Sequence, residues 1–129
     1  QPAECASLVT RPACTPTFAM RDMQRFIDGD NFEYREQFKN FLKGPLFVPR
    51  YDVSLEQERQ LAYDRLKAIC ENGFISVRDF LTNPRRIFAA HELTGLCDGS
   101  TATKMTVQFN LFGGTVLKLG SEHHHRALL

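Results

Sequence analysis

Four stretches of the sequence repeat one apolar offset, i, i+4, i+7, i+8, and that spacing leaves little choice of secondary structure. Ala19, Met23, Phe26 and Ile27 make the first, and Tyr34, Phe38, Phe41 and Leu42 the second. Ala89, Leu93, Leu96 and Cys97 make the third, and Met105, Phe109, Phe112 and Gly113 the fourth. Residues so spaced share one face of an α-helix, and each such face needs a partner to cover it. Leu55, Ala62, Leu66 and Ile69 form a further stripe on the longest helix, over 55–72. No stretch alternates for long enough to be a strand, so the sequence predicts an all-α fold of about six helices.

The breaks between the stripes carry their own signals. Gly29-Asp30-Asn31 separates the first two helices. Ser54 and Gln57 form an S-x-x-Q capping box, and Gly73 stands where a glycine just beyond a helix belongs. Gly44-Pro45 and Pro49 predict an extended connector over 44–53. Ser76 caps a short turn through Leu81, and Pro84 opens the next helix at its first position. Asp98-Gly99-Ser100 closes that helix and caps the following one.

The segment 100–119 is apolar on nearly all sides, with Val107 and Leu111 opposite the Met105–Phe109–Phe112 face. Such a helix is expected to be central, with partners on both flanks. Its Gly113-Gly114 step costs about 1 kcal/mol per glycine relative to alanine, which a kink or a close helix packing would explain. A new helix starts at Ser121, and Leu129 is reached without a termination signal, so the sequence reads as the front part of a longer protein.

One domain is the natural reading of 129 residues. Residues 1–16, with Pro2, Pro12 and Pro16, read as a flexible N-terminal tail, leaving 17–129 as the helical domain. A net charge of +1, from 16 basic and 15 acidic residues, gives no electrostatic footprint for nucleic acid. No apolar run reaches the ~18 residues that a membrane span requires. Eleven phenylalanines without a tryptophan suit a deep core or an apolar channel better than a wet interface. Cys70 and Cys97 read as buried thiols of a reducing compartment, and Cys5 and Cys14 could pair only within an ordered tail.

Polar clusters offer little chemistry. His123-His124-His125 cannot converge on one ion, because consecutive helical residues point about 100° apart, so no metal site is expected. Arg78, Arg85 and Arg86 read as surface or salt-bridge residues before they read as phosphate ligands. Glu56, Glu58, Arg59 and Arg65 read as a charged, exposed face of the long helix.

Three passages nevertheless resemble the flavin-dependent acyl-CoA oxidases and dehydrogenases, the oxidases more closely. They are S-L-E-Q-E-R-Q-L-A-Y-D-R-L-K (54–67), D-G-S (98–100) and K-M-T-V-Q-F-N-L-F-G-G-T-V-L-K-L-G-S-E-H-H (104–124). The resemblance covers roughly 18–129 and implies the N-terminal helical domain of such an enzyme, cut before the β-domain that holds FAD. In the family, a C-terminal carboxylate takes the α-proton of a fatty acyl-CoA and the flavin takes the β-hydride; oxidases pass the electrons to oxygen, forming peroxide. Neither element falls within these residues, so the resemblance assigns no catalytic, cofactor-binding or metal-binding residue here, and predicts an inactive domain on its own. What it does imply is a wall for the acyl channel, at Met105, Phe109, Phe112 and Gly113. It further implies a fatty acyl-CoA substrate, contact with the missing β-domain and C-terminal domain, a homodimer and a peroxisomal location. The alternatives are a dehydrogenase fragment, which would suit a mitochondrial location, and a non-enzymatic helical interaction module.

Overall fold

The computed structural model describes residues 17–129; the expected tail at 1–16, with Cys5 and Cys14, lies outside the described residues. Among the described residues every regular element is helical. They are α1 (Met20–Asp28), α2 (Phe32–Leu42), a 3₁₀ turn (Pro45–Phe47), α3 (Leu55–Glu71), α4 (Asp79–Thr82) and α5 (Pro84–Cys97). Then follow α6 (Gly99–Met105), a π segment (Thr106–Gly113), α7 (Gly114–Leu119) and α8 (Glu122–Leu128). The predicted all-α class is the one observed. Helical backbone continues through both ends of the π segment, so α6, the π segment and α7 form one rod.

Predicted punctuation recurs in the structure with its hydrogen bonds. The Ser54 hydroxyl accepts from the Gln57 backbone N–H at 3.3 Å, and the Gln57 side chain accepts from the Ser54 N–H at 2.9 Å. Gly73 adopts φ +70°, a conformation that a Cβ would strain. Pro84 stands in the first turn of α5, and Asp98 accepts from the Ser100 N–H at the start of α6.

The core lies where α2, α3, α5 and α6 meet. Phe38, Ile69 and Met105 are fully enclosed, with Leu66, Ile87, Ala90 and Leu93 around them. Phe74, in the turn after α3, stacks on Phe38 at 4.6 Å and lies 4.8 Å from Phe41. Phe41 in turn meets Phe47 edge-on at 5.2 Å. Each such ring, once buried, is worth about 1.5–3 kcal/mol of transfer free energy. The Tyr34 hydroxyl donates to the Phe74 carbonyl at 2.7 Å, and burial pushes its pKa up to about 12.

Four expectations are corrected. The connector 44–53 is not wholly extended: Pro45 starts a 3₁₀ turn that carries Phe47 into the core. The α1 stripe covers nothing, since Met23, Phe26 and Ile27 are exposed. The opposite side of that helix is tied to α2 instead, by Gln24 to Glu36 at 2.7 Å, Arg25 to Glu33 at 3.1 Å and Asp28 to Lys39 at 2.7 Å. Leu55 and Leu96 also lie outside; in α5 the buried side is taken by Ala89, Ala90, Leu93 and Thr94. The rod, finally, is enclosed on one side only, with Val107, Leu111, Phe112 and Leu119 exposed.

Candidate functional site

Arg65 fixes where the rod begins. It was expected on the exposed face of α3, yet it is only 4% exposed. Its guanidinium donates to the Leu46 carbonyl at 2.9 Å, the Val48 carbonyl at 2.8 Å and the Asp98 carboxylate at 2.8 Å. One side chain thus joins the 3₁₀ turn, α3 and the cap of α6. Burial raises the cost of charge on Asp98, but hydrogen bonds from Thr101, Arg65 and the Ser100 N–H outweigh it and hold its carboxyl below the usual range.

From that anchor the rod presents two sides. Met105, with none of its surface exposed, and the buried Gly113 face the interior, with Phe109 packed partly against the core. A Cβ on Gly113 would come within 3.1 Å of a Val77 methyl and 3.3 Å of the Gln108 carbonyl, so the missing side chain lets the 72–79 turn close onto the rod. On the open side, Leu111 is 61% and Phe112 58% exposed.

Apolar cavities flank the rod. One, of about 470 Å³, lies between it and α3, lined among others by Leu66, Cys70, Val77, Phe109 and Phe112, with Lys67 and Lys104 also on its wall. Another, of about 460 Å³, lies between α4 and α7, lined among others by Phe80, Leu81, Gly114, Leu117 and Leu119. Of the four residues expected to wall a channel, Phe109 and Phe112 therefore meet at one cavity. Met105 and Gly113 do not line it and instead hold the rod against the interior. Val107 and Leu111, read in the sequence as the back of a buried helix, are open apolar surface.

The polar clusters are engaged structurally. Arg86 donates to the Gly73 carbonyl at 2.6 Å and lies 4.6 Å over the Tyr34 ring, and Arg78 donates to the Leu129 carbonyl at 2.8 Å. His124 receives the Ser121 N–H as part of a capping box, and His125 Nε2 reaches the Val116 carbonyl at 3.0 Å. Among the described residues no cluster of histidine, cysteine and carboxylate could hold a metal ion. Burial pushes the thiols of Cys70 and Cys97 up, so both favour the protonated, unreactive form.

Among the described residues no helix is long and apolar enough to cross a membrane. No known family profile matches the chain, and no solved structure does either. Curated proteins do. The chain is 32% identical over 112 residues to the human protein named peroxisomal acyl-coenzyme A oxidase 3. It is 29% identical over 127 residues to the Arabidopsis thaliana protein named putative acyl-coenzyme A oxidase 3.2, peroxisomal. These alignments take in 84% and 87% of the chain but only 16% and 19% of the relatives. The chain thus spans less than a fifth of the length of these relatives, and over that shared segment it belongs to the acyl-coenzyme A oxidase family.

Proposed function

We propose that this chain is the N-terminal helical part, residues 17–129, of a flavin-dependent acyl-CoA oxidase. The complete enzyme converts acyl-CoA to trans-2-enoyl-CoA in peroxisomal fatty-acid β-oxidation, reducing oxygen to peroxide. The observation that carries this reading is the match to proteins named as peroxisomal acyl-coenzyme A oxidases along most of the chain. The contribution of this part is a wall for the acyl chain. An apolar rod, held at its start by Arg65 and Asp98, brings Phe112 to a cavity lined also by Leu66 and Phe109. A saturated chain laid there exchanges water for carbon at about 0.8 kcal/mol per buried CH₂. Met105 and Gly113 support that wall from behind.

The described residues do not fit a flavin on their own. The N–H groups at the starts of α3 and α6 are capped by Ser54 and Asp98. Arg65, Arg78 and Arg86 are committed to carbonyls of the chain itself. On this reading FAD, the catalytic base and the homodimer belong to the complete protein, and the segment alone is inactive. Peroxide release from acyl-CoA by the full-length product is the test. Loss of peroxide with retained reduction of an artificial dye would point to a dehydrogenase. A full-length product that carries no flavin and is inactive in both assays would point to a helical interaction module.

A further inference from the structure

The π segment determines which side chains the rod buries. Along an α-helix each residue turns by about 100°. Phe112, seven residues beyond Met105, would then lie within about 20° of it, and Gly113 would lie about 80° away. The sequence stripe Met105, Phe109, Phe112, Gly113 rests on that arithmetic. The structure reverses its last two members, for Gly113 is buried against Val77 and Phe112 is 58% exposed.

The reversal has a cause in the backbone. Over Thr106–Gly113 the helix is wound in π geometry, and the Gly114 N–H reaches the Phe109 carbonyl five residues back. A wider turn keeps Met105, Phe109 and Gly113, spaced strictly by four, in line along the interior. It displaces Phe112 outward. Insertions of this kind in otherwise regular helices are frequent at functional sites.

We propose that the π segment is a register device that turns Phe112 out of the core and so makes it the residue of the wall that sets acyl chain-length preference. The second half of that statement rests on the oxidase reading; the first does not.

Two experiments separate them. The chain has no tryptophan, so Phe112→Trp places a single reporter in it. Its emission should be that of a water-exposed indole, open to iodide quenching. Deleting Asn110 in the same background removes the extra residue, so that in an α register Gly113 lines up with Met105. The indole, then six residues from Met105, lies about 120° away, and its emission should stay that of an exposed indole. Emission from a buried indole in the parent, or a shift to shorter wavelength on deletion, overturns the device. Should the deletion variant fail to fold, NMR couplings across hydrogen bonds in the unaltered chain decide: a Gly114 N–H bonded four residues back rather than five overturns it equally. In the full-length enzyme, Phe112→Ala should raise kcat/KM for long acyl chains relative to short ones by roughly tenfold. An equal change at every length removes the specificity role. An enzyme without any acyl-CoA activity removes the oxidase reading and leaves the device to the fluorescence.

Discussion

Arg65 holds three acceptors with one guanidinium, and each is left unpaired if it goes. Asp98 would then be a carboxylate without its cation, beside two carbonyls that have lost a donor. Breaking a buried pair from one side costs about 3–5 kcal/mol, so Arg65→Ala should lower urea stability by that amount. Arg59→Ala, at an exposed position of the same helix, should stay within about 0.5 kcal/mol. Asp98 adds a pH dependence. Its folded pKa is depressed, so its contribution is complete above the unfolded value of about 3.9 and is lost as pH falls through the lower folded value. A melting series between neutral pH and pH 3 should steepen at its acid end, and Asp98→Asn should flatten it.

Among elements, the glycine pair has the clearest consequence. Gly113→Leu drives a branched side chain into Val77, where even a Cβ has 3.1 Å. The expected outcome is a lower melting temperature and, in the complete enzyme, a loss of activity at every acyl length. A selective loss for long chains with an unchanged melting temperature would put position 113 in the channel itself. The legibility of these elements divides along physical lines. Capping and glycine signals act within four residues, so Ser54, Gln57, Gly73, Pro84 and Asp98 could be read in one dimension. The fate of Arg65 could not, since its acceptors at Leu46, Val48 and Asp98 are brought to it only by tertiary folding. Apolar offsets gave helices correctly but not which stripes find partners: that of α2 did, that of α3 did except at Leu55, and that of α1 did not. The π winding left one trace, the strict spacing by four of Met105, Phe109 and Gly113, which a period of 3.6 conceals.

At the scale of the whole molecule, apolar surface is distributed unevenly. Phe88, Leu96, Leu111, Phe112 and Leu119 are all exposed, on α5 and along the rod. Exposed apolar side chains of this kind bind apolar probes and partners. The 129-residue chain should therefore enhance the fluorescence of anilinonaphthalene sulfonate at neutral pH while still melting cooperatively. A dye signal that appears only together with lost cooperativity would instead mean a loosened core.

The attachment of α1 has an ionic-strength consequence. That helix is fastened to α2 through Arg25–Glu33, Asp28–Lys39 and Gln24–Glu36 and buries no residue, while the helices behind it also share an apolar core. Mobile ions shorten the reach of the first kind of bond to about 3 Å at 1 M, and excluded salts such as sulfate strengthen the second. Brine should thus pull the molecule in two directions at once. Trypsin should cut after Arg21 and Arg25 faster in 1 M sodium chloride, and the main thermal transition should move upward in sulfate.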